Sequence, residues 1–573
     1  MEKSSVLHIP MSQYAYGDDE RHITVRLRAK KNDITKCVLF YGDRACRQTP
    51  VIFTEVEMKV RHSTSLYDFF EVTLEDPYKR MCYYFYLESG DEKTYYYGDC
   101  FCDRPVDDRS EYFQLPFNHR SDIVNPPEWA KDAVFYNIFP DSFATSRRYI
   151  SGKGEVKQWG DNTTSGKLGG TIKGITENVD YLKELGVNAI YINPIFAAGE
   201  YHKYDLLDYY HIDPCFGTDE DFRELVETYH KNGMRVVIDG VFNHCGWKFF
   251  AFDDVVRNGE ASKYKDWFYG LKFPVVRPDD PEEYPTYDCF GYERMMPKLA
   301  LDNKETAEYF VNVGRHWVKN FHIDGWRLDV ANEINDGFWR AFHNAVKEEN
   351  PDAILIGEVW ETANHWLDGT IFDSAMNYDF RKHAMRFFAE KSIDAEGFGD
   401  RATDMYMRYR KQTTFAQLNL LDSHDVSRFL SVCDGDVKRY KLAVLFLMTF
   451  PGMPSVFYGD EKGIEGILEN DYRHPMIWDK EDDELSIFYK RVIALRNNEE
   501  ILRHGEFKVG QAEKGDRLFM FKRFTDEHEI LIYLNMSDDN KKIEAYPGNS
   551  EVLLSEGLSD RVLEPGGYAV IKM

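Results

Sequence analysis

From about residue 20 to residue 120 the chain alternates apolar and polar positions in short runs, HITVRLRA, KCVLFYG, YDFFEVTL, MCYYFYLES and KTYYYGDCF, separated by polar turns. Successive side chains of a strand point to opposite faces, so this alternation predicts half-buried strands and an antiparallel β-sandwich over residues 1–123. FNHRSDIVNPPEWAKD, with Pro126 and Pro127, reads as the linker out of it. Beyond about residue 133 the rhythm changes to short, almost wholly apolar runs set between longer helical stretches. Strands buried on both faces read this way, and they are parallel strands joined by helices. AVFYNIF, AIYINPIF, RVVIDG, GWRLD, AILIGEV, FAQLNLLDSHD and SVFYGDE are such runs, with DSAMNYDF a weaker one. An α/β fold follows, a closed (β/α)8 TIM barrel over residues 124–500. The aromatic- and proline-rich stretch 243–300 is too long for a strand-to-helix loop and predicts an inserted subdomain. After residue 500 alternation returns in EFKVG, RLFMFKRF, EILIYLN, KKIEAY and GGYAVIKM, predicting a second antiparallel β-sandwich over 501–573.

At 573 residues the chain exceeds what one hydrophobic core organises, in keeping with three domains. The formal charge of −27 opposes nucleic acid and anionic membranes and suits a neutral partner such as a sugar polymer. The longest apolar run, Ala443 to Met448, is too short to cross a bilayer, and no secretory signal is visible at the amino terminus. Cys100 and Cys102 form the only close cysteine pair among nine, and no Cys/His metal spacing occurs. Reduced thiols in a cytoplasmic protein are the expectation.

The chemistry concentrates at the carboxyl ends of the predicted barrel strands, where active sites of this fold form. Asp239, Asn243 and His244 close VVIDGVFNH; Arg327 and Asp329 close GWRLD; Glu358 follows LIG; His424 and Asp425 close LLDSHD. Carboxylates ending otherwise buried strands are costly unless paired or functional. Any one of these Asp residues could be an N-cap or a structural ion pair. Four strand ends converging on one mouth instead suit two carboxyls about 5 Å apart acting by double displacement at an anomeric carbon. Arg327 lies two residues before Asp329, on the same strand face, and can pair with its ionised form. Glu358 closes a strongly apolar run, a setting suited to a carboxyl acting as an acid.

With these blocks in order the sequence resembles the α-amylase superfamily, glycoside hydrolase family 13, and within it the neopullulanase, cyclomaltodextrinase and maltogenic amylase group. DGVFNH, GWRLDVANE, GEVW and LLDSHD carry the resemblance, supported by GVNAIYINPIF, HKYDLLDYYHIDPCFGT, MPKL and GMPSVFYGDE. The resemblance implies Asp329 as nucleophile, Glu358 as general acid then base, and Asp425 as the residue gripping sugar hydroxyls. It implies that His244 and His424 hydrogen-bond the glucose at the cleavage site, that Tyr204 stacks on it and that His202 sits beside. Asn332 and Glu333 would line the acceptor side and Arg473 the donor side, with Asp239 and Asn243 in support. Taken singly, each histidine could equally be a satisfied structural residue and Tyr204 mere packing.

The resemblance implies an N-terminal carbohydrate-binding-like module and a homodimer acting on α-glucan oligosaccharides. The sequence departs from the family at its calcium loop, here FATSRRYISGK with the turn Gly169-Gly170-Thr171. Arginines and a threonine supply no hard anionic oxygens, so no metal or other cofactor is expected. The block usually ending MPKLN here ends in Ala300, and LENDYRHPM before and around Arg473 lacks the usual Asp-Pro turn. The activity expected is hydrolysis, with some transglycosylation, of α-1,4 links in cyclomaltodextrins, maltooligosaccharides and pullulan, with tolerance of α-1,6 links. An α-glucosidase or glucan-transferring relative shares the catalytic set, and a non-catalytic glycan-binding barrel would have lost part of it.

Overall fold

The structure is a computed structural model describing residues 1–98, 100–146, 168–280, 282–544, 546–548 and 550–573. It divides into two compact units: Met1–Asn125, Lys391–Phe415 and His504–Met573 form one, Pro126–Glu390 and Ala416–Arg503 the other.

The second unit is a closed barrel of eight parallel strands. They are β1 (Phe135–Ile138), β2 (Ala189–Ile192), β3 (Arg235–Gly240), β4 (Gly325–Leu328), β5 (Ile354–Gly357), β6 (Ser374–Asn377), β7 (Leu418–Leu420) and β8 (Met453–Phe457). All eight coincide with the apolar runs of the sequence, DSAMNYDF included. Phe135, Ala189, Tyr191, Val237, Ile354, Ile356, Met376, Leu418 and Met453 pack together as the barrel interior. The period of two along a strand then fixes what lies above them. Asn137, Asn193, Asp239 and Glu358 each share the parity of an interior residue of their own strand, and Arg327 and Asp329 alternate with the outward-facing Trp326, so polar side chains cap the apolar layers at the carboxyl mouth. Residues of the opposite parity face the helices: Trp326 meets Phe242 and Phe342, with centroids 5.8 and 6.1 Å away.

The surrounding helices follow their sequence signals. Asp219–Lys231 starts at Thr218 with a capping box closed by Asp221, and Phe222, Leu225, Val226 and Tyr229 form its buried stripe. The insertion between Asn243 and Ala300 contains a helix, Phe250–Asn258, and a short hairpin of Cys289–Phe290 with Glu293–Pro297.

In the first unit, nine strands between Ala15 and Leu115 pair antiparallel. Thr54–Ser63 turns the corner between two sheets: residues 54–58 pair with Tyr41–Cys37 and residues 59–63 with Glu71–Asp68, across a register shift at Val60/His62. Six further strands between Glu506 and Lys572 form the C-terminal antiparallel sheet. Lys391–Phe415 lies within the 124–500 stretch of the sequence, yet its helix Ala395–Met407 belongs with these sheets. Phe398 meets Phe519 edge-on at 4.9 Å, and Arg26 donates to the Tyr409 carbonyl at 3.1 Å. Sequence order gives no sign of which unit a helix packs on.

Candidate active site

Arg327 is fully buried, and its guanidinium is the hub of the mouth. Nη1 donates to Asp239 Oδ1 at 3.0 Å and to Asp329 Oδ1 at 2.9 Å. Nη2 lies 2.8 Å from Glu358 Oε1, off the hydrogen-bonding line and so an ion pair, and 3.8 Å from Asp425 Oδ2. Nε contacts the Met376 sulfur at 3.2 Å. One buried cation thus faces four carboxylates, as β3 and β4 pair Asp239 directly with Arg327 and β4 and β5 pair Arg327 with Ile356, two residues before Glu358.

Burial and then repulsion from Glu358 push the Asp329 carboxyl well above its ordinary range, against the pull of Arg327. The pairing of Arg327 with Asp329 is not exclusive: the guanidinium reaches both carboxyls. What separates the two is their other neighbours. Glu358 Oε2 accepts the Val330 N–H at 2.9 Å and Oε1 accepts the indole N–H of Trp360 at 3.1 Å. Val330 makes its contact from the left-handed region, φ 46°, a conformation costly for a β-branched residue and found mostly at functional sites.

His424 and Tyr204 form the next wall. Asn193 Nδ2 donates to His424 Nδ1 at 2.9 Å, so in the neutral imidazole the proton sits on Nε2, which faces Asp425 Oδ2 at 3.0 Å. The Tyr204 hydroxyl touches His424 Nε2 and donates to Asp239 at 3.0 Å, and the two rings stack 5.6 Å apart, 5° from parallel. Burial acts to raise the Asp425 carboxyl, but His424, Arg327 and Arg473 outweigh it and hold it at about 2. Arg473 reaches this group from the side, donating to the His424 carbonyl at 2.9 Å and lying 3.8 Å from Asp425 Oδ1.

His244 is buried, stacks on Phe290 at 5.0 Å and is kept neutral, its pKa lowered to about 3 by burial and then by Lys298. Its Nε2 is buried without a hydrogen-bond partner among the described residues. Burial, with Arg473, likewise lowers His202 to about 4. Both imidazoles are neutral near pH 7, so each offers one N–H and one lone pair to a ligand.

These residues enclose a cavity of about 570 Å³ lined by His202, Tyr204, His244, Asp329, Glu358, Asp425 and Arg473, with Asn332 at its edge. Arg327 and Asp239 lie beneath it. Glu333 is exposed and pairs with Lys298 at 2.8 Å outside that lining; Lys298 also holds Asn243 Oδ1. Several further residues contribute to the site without standing out in the sequence. Asn193 orders Tyr191, Tyr204 and His424, and as a polar residue closing β2 it carries the same signal as the others. Trp360, half exposed and stacked 3.9 Å from Tyr378, joins Phe290 and Met296 as the apolar part of the lining.

Of the loop FATSRRYISGK, residues 147–153 lie outside the described residues. In the adjoining turn the N–H groups of Leu168 and Gly169 bind the Asp141 carboxylate at 3.0 and 3.1 Å. Thr171 accepts from Gly174 N–H at 3.0 Å, capping the helix Ile172–Glu177. Among the described residues no group of three or more His, Cys, Asp or Glu side chains is placed to hold a metal ion.

A (β/α)8 barrel whose mouth gathers carboxylates, aromatic rings and neutral imidazoles defines the class of barrel glycoside hydrolases. The chain belongs to the alpha-amylase family: the catalytic domain of that family matches residues 137–487 and its N-terminal Ig-like domain matches residues 1–119. It is 40% identical over 549 residues to the cyclomaltodextrinase of Geobacillus thermopakistaniensis, covering 95% of this chain and 92% of that one. It is also 40% identical to neopullulanase 2 of Thermoactinomyces vulgaris, covering 94% and 92%. A solved cyclomaltodextrinase structure superposes with a TM-score of 0.92 at 36% identity over 100% of both chains. The chain is an α-glucan hydrolase.

Proposed function

We propose that the chain cleaves α-1,4-glucosidic bonds of cyclomaltodextrins, maltooligosaccharides and pullulan with retention of configuration. The observation that carries this reading is the single guanidinium of Arg327 lying within 3 Å of both Asp329 and Glu358. Carboxyls held on adjacent nitrogens of one guanidinium fit the separation of about 5 Å needed for double displacement, not the roughly 6.5–9.5 Å that admits a water in an inverting enzyme. In this reading Asp329 attacks the anomeric carbon. Glu358 protonates the leaving oxygen and then deprotonates the incoming water.

Asp425, held ionised, binds hydroxyls of the distorted sugar, with His244 and His424 beside it and Tyr204 as the stacking face next to His202. Arg327 and Asp239 fix the carboxylates, and Asn243 is anchored beneath by Lys298. Asn332 and Glu333 face acceptors and Arg473 the donor side. A sugar hydroxyl in place of water gives transglycosylation, and the same site tolerates α-1,6 links. The enzyme works without calcium, as a cytoplasmic homodimer. Reduced thiols suit that compartment.

One experiment tests these statements together: product analysis on β-cyclodextrin, pullulan, panose and starch, with and without EDTA, using the species that elutes at twice the chain mass of 67.2 kDa. Cyclodextrin and pullulan should be the better substrates, unaffected by chelator. Preference for starch, loss of activity in EDTA, or activity confined to a single-chain species would each remove the corresponding part of the reading.

A further inference from the structure

Below the Asp425 wall lies a second buried charged cluster that makes no contact with the cavity. Arg428, fully buried, projects from the segment that follows Asp425. Its Nη1 donates to the Tyr458 carbonyl at 2.7 Å and to Asp460 Oδ1 at 2.8 Å, just beyond β8. Its Nε donates to the Tyr472 carbonyl at 3.0 Å and its backbone N–H to the Gly466 carbonyl at 2.9 Å. The guanidinium lies over the rings of Phe457 and Tyr458, 4.0 and 4.8 Å from their centroids. Asp460 Oδ2 in turn accepts the Phe457 N–H at 3.1 Å. Asp422, three residues before Asp425 and also buried, accepts the Phe429 N–H at 2.7 Å.

Three pieces of chain meet at this one side chain: the end of β8, the segment Leu421–Arg428 bearing His424 and Asp425, and Gly466–Arg473. The residue after its Tyr472 acceptor is Arg473, which returns to the His424 carbonyl and the Asp425 carboxylate. The loop carrying Asp425 is thus tied at both ends of a closed circuit, Asp425 to Arg473 through the cavity wall and Arg428 to Tyr472 beneath it. Burial and the adjacent Asp422 raise the Asp460 carboxyl, against the pull of Arg428.

We infer that Arg428 is a positioning residue for Asp425: it fixes the place of that carboxylate, and of Arg473 opposite it, without touching substrate. The inference rests on the reading of Asp425 as the residue that grips the distorted sugar. A displacement of about 1 Å at such a group costs roughly 10²-fold in rate.

The test compares kcat and KM on maltohexaose, together with melting temperature, for Arg428→Met, Arg428→Lys, Asp425→Asn and the double variant Arg428→Met/Asp425→Asn. Arg428→Met should lose about 10²-fold in kcat with a much smaller change in KM. Arg428→Lys should remain impaired, since an ammonium cannot serve the Tyr472 carbonyl and Asp460 with a planar fork. In the Asp425→Asn background the Arg428 substitution should cost less than about threefold more, because its effect runs through the group already removed. If Arg428→Met does not fold, Arg428→Met/Asp460→Asn removes the charge left behind and carries the same comparison. A kcat within a few-fold of the parent, or a full 10²-fold further loss in the Asp425→Asn background, overturns the inference. Full activity of Asp425→Asn alone would overturn the reading of the site on which it rests.

Discussion

Asp329→Asn is expected to lower kcat by about 10⁴-fold or more, with the fold intact. An amide cannot attack the anomeric carbon and leave a glycosyl ester, whereas its Oδ1 can still accept from Arg327 Nη1, which lies 2.9 Å from the carboxylate. Stability should hold or rise, because burial and the neighbouring Glu358 both act against the Asp329 charge. The melting temperature and the binding of maltooligosaccharide should therefore match the parent while turnover vanishes. Activity within tenfold of the parent would remove Asp329 as nucleophile.

Glu358→Gln is expected to cost about 10²–10⁴-fold on oligosaccharides, where the departing sugar oxygen needs a proton in the transition state. The loss should shrink on an α-maltosyl fluoride, whose leaving group needs little protonation. The amide oxygen of the substituted side chain can still accept the Val330 N–H, which Glu358 accepts at 2.9 Å, so the backbone just beyond β4 stays in place. Equal losses on the two substrates would show that Glu358 positions groups rather than donating a proton.

The barrel was legible because parallel strands buried on both faces must be apolar throughout, and each of the eight runs recurs as a strand. The polar residues at their carboxyl ends were legible for the complementary reason: a charge closing a buried strand stands out. Asp239, Arg327, Asp329, Glu358 and Asp425 do meet around one guanidinium. Asn193 was missed although it obeys the same rule, since a neutral amide after an apolar strand attracts less notice than a carboxylate. What the sequence had no means to reveal is connectivity through space. Arg327 stands two residues from Asp329, which suggests one pair, yet its other nitrogen faces Glu358. Glu333 pairs with Lys298, which arrives from the insertion, and nothing in VANE announces that partner. Val330 in the left-handed region runs against its own preference, and local sequence rules cannot anticipate a conformation imposed by tertiary contacts.

The central claim is that Asp329 and Glu358 act in succession on one anomeric carbon. Its most direct test is an NMR spectrum of the reaction on maltohexaose recorded before mutarotation, reading the configuration of the newly released reducing end. Two displacements predict the α-anomer first, with β appearing only as it equilibrates. A β-anomer as first product would mean a single displacement by water, and would contradict the assignment of both carboxylates.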